Sequence, residues 1–157
     1  MFIYGQMAAN GIAVMSYLAA EPQRRAGSAD IAKSRRISKP LAAKLLTQLS
    51  GAGLLAGQTG PGGGYRLAKP AERIRLIDIV KVFEQTEPPT LCPFGHGWCG
   101  KHEPCPLHNA IAELSERNRE FLENTLLSVF QNAPQNGFPI GTSAAPAPRA
   151  KRTAKRR

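Results

Sequence analysis

Apolar side chains recur at helical spacing from residue 8 to residue 20. Ala9, Ile12, Ala13, Met15, Leu18 and Ala19 share one face, and Pro22 marks the end. Ser28 is placed to cap a second, shorter helix over 29–35, with Ile31 and Ala32 turned inward. Arg36 and Ile37 make a tight turn. Ser38 then caps a third helix whose first turn accommodates Pro40. Leu41, Leu45, Leu46 and Leu49 form its buried stripe, and Gly51 and Gly53 end it. Leu54-Leu55-Ala56 and the run from Gln58 to Leu67 flank a tip of Gly60, Pro61, Gly62, Gly63 and Gly64, which predicts a β-hairpin. Leu76, Ile77, Ile79, Val80 and Phe83 predict another short helix ahead of Pro88-Pro89.

Beyond a stretch without period, residues 107–131 read as one long helix. Leu107, Ile111, Leu114, Asn118, Phe121 and Thr125 step by four and three, with Leu122, Leu126 and Val129 beside them. Such a seam on a solitary helix calls for a second copy of the chain, and one polar residue in it, Asn118, sets register. The organisation expected is a winged helix-turn-helix over 1–89, a cysteine-rich loop over 90–106, a dimerisation helix over 107–131 and a disordered basic tail over 132–157. The fold class is mainly α with a small β-hairpin wing.

Charge sharpens this picture. Residues 1–75 hold 11 Lys and Arg against 3 Asp and Glu, residues 76–131 hold 4 against 8, and residues 132–157 hold 6 against none. A basic N-terminal half that coincides with a helix-turn-helix points to double-stranded DNA. The exposed candidates on the third helix are Ser38, Lys39, Ala42, Ala43, Lys44, Thr47 and Gln48. Ser28 begins the helix before it, and Arg35 and Arg36 sit at the turn, where a phosphate would lie. Thr59, Tyr65 and Arg66 on the wing are placed for the backbone or the minor groove. The glycine-rich tip lacks the Lys-Ser/Thr ending of a phosphate-binding loop and opens no helix. No polar constellation suggests acid–base or nucleophilic catalysis, so an enzyme and a small-molecule substrate are not expected. No run of ~18 apolar residues suggests a membrane span. The first residues lack the basic start and apolar stretch of a signal peptide, so a cytoplasmic protein is expected.

The three cysteines are an odd count, which argues against a disulfide framework. Cys92, Cys99, Cys105 and His108 follow the spacing C-x6-C-x5-C-x2-H. Three soft thiolates and an imidazole within 17 residues suit a transition metal. An iron–sulfur cluster with three Cys and one His, a structural Cys₃His zinc site and three unligated thiols are all compatible with that spacing. Zinc sites usually bring ligands in tight C-x₂₋₄-C pairs, which are missing here, whereas clusters tolerate wider spacing. His96 and His102 are further candidates for the fourth place, and His108 is favoured because it begins a helix that fixes its direction.

These motifs together resemble the Rrf-two family of winged-helix transcription regulators, the group containing IscR and NsrR. The resemblance spans about residues 8–131. It rests on Asp30-Ile31-Ala32, Ile37-Ser38, the stretch from Leu45 to Leu55 with its Gly53-Leu54, Gly60 to Tyr65, Ile77-Asp78-Ile79-Val80, and the cysteine loop before a long helix. It implies a homodimer on a roughly palindromic operator that senses a signal through an iron–sulfur cluster. IscR-like members use three Cys and a His two residues past the third, the places of Cys92, Cys99, Cys105 and His108. NsrR-like members use an N-terminal Asp of the partner subunit, and the nearest position here is Ala9. The resemblance therefore favours a His-ligated 2Fe–2S cluster and a repressor controlled by it, with a zinc-stapled or metal-free module as the alternative. The chain departs from the IscR pattern in two ways. The first Cys spacing is one residue longer, and Pro40 and Ala43 stand where IscR carries a base-reading Ser and Glu, so a different operator sequence is implied.

Overall fold

The computed structural model describes residues 4–84 and 106–131. Helix α1 (Gln6–Ala20) is followed by α2 (Ser28–Arg35), α3 (Lys39–Gly51), strands β1 (Leu55–Gln58) and β2 (Gly64–Leu67), α4 (Leu76–Phe83) and α5 (His108–Asn124). Single 3₁₀ turns at Ala71–Arg73 and Leu127–Phe130 complete it.

The pattern predicts one apolar face for α1, and the structure buries this helix nearly all round. Ala8, Gly11, Ile12 and every residue from Val14 to Ala20 are buried. The reason is position: α2, α3, α4, β2 and the C-terminal 3₁₀ turn all pack on it. Small side chains make that possible. A Cβ on Gly11 would lie 2.3 Å from the Phe83 ring, so α4 approaches α1 as closely as it does only over a glycine.

Helix α2 begins at Ser28, one residue earlier than expected. The cap is Gly27, whose N–H donates to the Asp30 carboxylate at 3.3 Å. Helix α3 begins as expected, with Ser38 Oγ accepting from the Leu41 N–H at 3.3 Å. Its inward row is Ala42, Leu45, Leu46 and Leu49. Ala42, expected outside, is fully buried. The helix ends where Gly53 takes φ +71, with the Leu54 N–H returning to the Leu49 carbonyl at 3.0 Å.

The hairpin pairs Leu55 with Leu67 and Gln58 with Gly64. It has a further partner that the pattern does not signal. Ala26, in the loop ahead of α2, exchanges both backbone hydrogen bonds with Tyr65, at 3.0 and 2.9 Å. Gly64 permits this, since at φ +136 a Cβ would stand 2.9 Å from the Ala26 carbonyl oxygen. The wing is thereby tied to the entrance of the helix-turn-helix.

The long helix is shorter than expected and ends at Asn124. Thr125 turns extended, with its N–H and its hydroxyl both donating to the Phe121 carbonyl, at 3.1 and 2.6 Å. The chain then pairs Leu126 with Arg75, through Leu76 N–H to the Thr125 carbonyl at 2.9 Å and Leu127 N–H to the Ile74 carbonyl at 2.8 Å. Burial of Leu127, which is 0% exposed, is what the turn achieves, at the expense of further helical hydrogen bonds. Residues 125–130 thus return to the N-terminal body, and Leu126 and Val129 lie off the helix. The expected loop over 90–106 and tail over 132–157 fall outside the described residues, apart from Pro106.

The return of this segment is open to test by denaturant unfolding of the full chain. Leu127→Ala is expected to cost ~2–5 kcal/mol of stability, as for a fully buried leucine. Val129→Ala, at a residue 62% exposed, is expected to stay within ~0.5 kcal/mol. Equal effects would detach the segment from the core.

Candidate nucleic-acid interface

The outward face of α3 follows directly from its inward one. With Ala42, Leu45, Leu46 and Leu49 buried, Lys39, Ala43, Lys44, Thr47 and Gln48 are exposed. No acidic residue interrupts this helix. Thr47 donates its hydroxyl to the Ala43 carbonyl at 3.0 Å, so its methyl and its oxygen lone pairs are what it has left to offer. Ser38 carries two duties, because the oxygen that caps α3 sits at the end of the exposed row. Arg36 is exposed and left-handed, with φ 53 and ψ 39, at the end of α2. Ser28 is half-buried at the first residue of α2.

Arg35 differs from the other basic candidates. Its Nε donates to the Ala13 carbonyl of α1 at 3.0 Å, and its Cζ lies 5.5 Å from the centre of the Tyr17 ring. Burial of the guanidinium pulls its pKa below the ordinary value, against the opposing influence of Tyr17. It is turned toward the protein.

On the wing, side chains alternate. Tyr65 and Leu67 face the core and Arg66 faces outward, with Thr59 exposed at the tip. The Tyr65 ring lies over Gly57, where an added Cβ would be 3.1 Å from it. Tyr65, expected to reach DNA, is partly buried, and its ring packs against the hairpin. Two links set the wing's tilt, the Ala26 bridge and the Arg25 Nη1 bond to the Gly64 carbonyl at 3.3 Å. Sequence reasoning missed Ala26, Arg25 and Gly64 as determinants of this surface. The one signal available was Gly64 directly before an aromatic residue; Ala26 pairs over 39 residues and leaves no local periodicity.

Of the expected metal ligands, His108 is the first residue of α5 and is half-buried. Cys92, Cys99 and Cys105 lie outside the described residues. Among the described residues no group of three or more His, Cys, Asp and Glu is placed to hold a metal. The upstream end of the cysteine segment has an anchor on the body. Glu84 accepts from the Gly5 N–H at 2.6 Å, at the start of α1.

The expected dimer seam divides. Leu107, Leu114 (53% exposed) and Phe121 (48%) lie open to solvent, with Ile111 and Asn118 partly covered on the same face. Leu122 is buried in the chain's own core, so it is not available to a partner, and Thr125 lies just past the helix end. The opposite face carries ion pairs of Arg117 with Glu113, and of Arg119 with Glu116 at 2.5 Å and Glu123 at 3.1 Å. Hydrogen bonding to Glu116 raises the Arg119 pKa, and the same bond lowers that of Glu116. No described helix is long and apolar enough to cross a membrane.

The chain resembles known proteins in both sequence and fold. The profile of the Rrf2 family, described as an iron-dependent transcriptional regulator, matches residues 5–132. The HTH-type transcriptional regulator IscR of Cronobacter sakazakii is 34% identical over 104 residues, covering 66% of this chain and 64% of that protein. The chain thus spans somewhat less than two thirds of that relative. Among solved structures, T. potens IscR superposes with a TM-score of 0.67 at 22% identity, covering 87% of this chain and 92% of that one. CymR, the global cysteine regulator of B. subtilis, superposes with a TM-score of 0.66 at 23% identity, covering 83% and 97%. These two likenesses concern the fold.

The exposed row of α3 makes a quantitative expectation. Lys44→Ala is expected to weaken binding to every duplex and to lower the slope of log K against log salt by about 1, the signature of one lost phosphate contact. A sequence-selective loss of ~1–3 kcal/mol would instead make Lys44 a base reader. No loss on any duplex would remove α3 from the interface.

Proposed function

The chain belongs to the Rrf2 family of winged-helix transcriptional regulators, and on that premise we propose that it is a homodimeric repressor whose hold on its operator depends on an iron–sulfur cluster. The observation that carries the DNA part is the uninterrupted exposed row of Lys39, Lys44, Thr47 and Gln48 beside a wing of set tilt. Helix α3 enters the major groove, and its N-terminal end with Ser38 and Arg36 lies along the backbone. Arg66 and Thr59 extend the contact from the wing. Relatives of this kind are transcriptional regulators rather than enzymes.

The dimer reading is supported by the open face of α5. Leu107, Ile111, Leu114, Asn118 and Phe121 keep the four-three spacing of a heptad seam over 15 residues of chain. A hydrophobic face of that regularity, half-exposed on a single chain, is satisfied by a second copy of itself. Two winged helices held this way reach two half-sites one helical turn apart. Sedimentation of the full chain is expected to give a dimer at micromolar concentration, and Leu114→Asp or Phe121→Asp to give monomers. A wild-type monomer would exclude the arrangement.

The cluster reading rests on the chemistry of the donor set. Thiolates of Cys92, Cys99 and Cys105 with the imidazole of His108 match the soft, mixed S/N ligation of a 2Fe–2S centre. His108 lies three positions after Cys105, so their Cα atoms are at most ~11 Å apart and within reach of one site. When bound, such a cluster supplies one-electron redox chemistry and sensitivity to oxidants. The chain's own part is to place the imidazole from the first residue of α5 and to anchor the upstream stem through Glu84 on α1. A group held by these residues would tie the start of α5 to the stem at Glu84, and so bias the spacing of the paired recognition helices.

Protein purified without oxygen is expected to be coloured and to contain iron and sulfide. Each of Cys92→Ala, Cys99→Ala and Cys105→Ala is expected to abolish the colour, and His108→Ala to weaken or abolish it, while His96→Ala and His102→Ala retain it. A colourless chain with one tightly held zinc would establish the zinc-stapled alternative in its place.

A further inference from the structure

Arg35 lies at the turn of the helix-turn-helix, where its charge invites a phosphate, yet its contacts run the other way. Its Nε reaches 3.0 Å to the Ala13 carbonyl, and its planar cation lies over the Tyr17 ring. The same carbonyl accepts the Ser16 hydroxyl at 2.9 Å. Ser16 is the one buried polar side chain among the described residues. A single α1 carbonyl thus gathers a serine from its own helix and an arginine from α2. Burial lowers the guanidinium's pKa, but an arginine keeps its charge at any physiological pH, so the ring and the carbonyl face a permanent cation.

The residue that follows explains why an anchor belongs here. Arg36 has φ 53, the one non-glycine among the described residues with a positive φ. That conformation is strained for a residue with a Cβ, and it persists only where neighbours enforce it. Behind it the Arg36 and Ile37 N–H groups both return to the Ala32 carbonyl, and Ser38 already caps α3. Between the anchored Arg35 and the cap of α3 there are only two residues. Whatever holds Arg35 on α1 therefore sets the direction in which α3 leaves.

We propose that Arg35 is a positioning residue: clamped between the Ala13 carbonyl and the Tyr17 ring, it sets the angle at which α1 presents the recognition helix, and it is not a phosphate contact. The proposal deepens the DNA-binding reading and rests on it. A lysine cannot replace it, because a point ammonium cannot both stack on the ring and send an in-plane N–H to the carbonyl. Tyr17 shares the function through its ring face alone, since the hydroxyl plays no part in the stacking.

The two roles separate in their salt dependence. The probes are a fluorescein-labelled duplex pool selected from random 30-mers by the wild-type full chain, and an unselected random duplex. Arg35→Gln is expected to lower affinity for the selected pool at least tenfold, to leave the random duplex within twofold, and to leave the salt slope unchanged. A parallel loss on both probes, with the slope reduced by about 1, would make Arg35 a phosphate contact and overturn the proposal. Tyr17→Leu keeps every charge and is expected to show the same selective loss, whereas Tyr17→Phe matches wild type. Wild-type binding by Tyr17→Leu would also overturn it. Amide hydrogen exchange gives a readout that needs no DNA. In Arg35→Gln the Ile37 amide is expected to exchange at least tenfold faster while those of Leu45, Leu46 and Leu49 keep their protection. Unchanged exchange at Ile37, or equal acceleration throughout, would overturn the positioning role. Failure of the wild-type chain to select any duplex would count against the DNA-binding reading alone, and exchange would still decide the role of Arg35.

Discussion

The close packing around α1 is the constraint on which the rest of the molecule depends. A helix buried on nearly every side must offer small residues where neighbours come closest. Gly11 under the Phe83 ring is the tightest of these places, and Ala8, Ala19 and Ala20 are fully or almost fully covered. Because α2, α3, α4, β2 and the C-terminal turn all take their positions from one rod, none of them is free to shift alone. The DNA-facing elements and the base of α5 are therefore connected through packed side chains and not through loops.

Polar contacts are sparse in this core and stand at joints. Ala13, Ser16 and Arg35 join α1 to α2. Ala26 and Tyr65 join the helix-turn-helix entrance to the wing. Arg75 and Leu126 join the C-terminal segment to the start of α4, and Glu84 joins the end of α4 to the start of α1. Apolar burial supplies cohesion without direction, whereas a hydrogen bond specifies an angle. A reader of DNA needs specified angles, since base edges are met only when helix and wing arrive together.

Charge is partitioned along the same lines. Helix α3 is free of acidic residues and Arg66 faces outward, whereas α5 carries Glu113, Glu116, Glu120 and Glu123, most of them engaged by Arg117 and Arg119. Internal pairing lets α5 stand in water on its polar face while its other face stays apolar. An acidic helix is also repelled by the phosphate backbone, which favours approach by the basic side.

The sequence by itself determined the elements and most of the exposed face of α3. Leucines at helical spacing defined α3, and their complement named Lys39, Lys44, Thr47 and Gln48 as its open row. Ser38 announced the start of α3, and the glycine-rich tip announced a hairpin. The cysteine spacing and the heptad steps from Leu107 to Phe121 offered a candidate ligand set and a candidate seam. All of these signals repeat within a few residues, so they survive without knowledge of the fold. The tertiary structure decided where the same signals divide. It took Ala42 and Leu122 inward, ended the long helix at Asn124 so that Leu127 could reach the core, and bound Ala26 to Tyr65 across 39 residues. It also turned Arg35 from a surface charge into a clamp on α1. Such outcomes depend on which surfaces meet at a distance along the chain, and a local periodicity holds no record of that meeting.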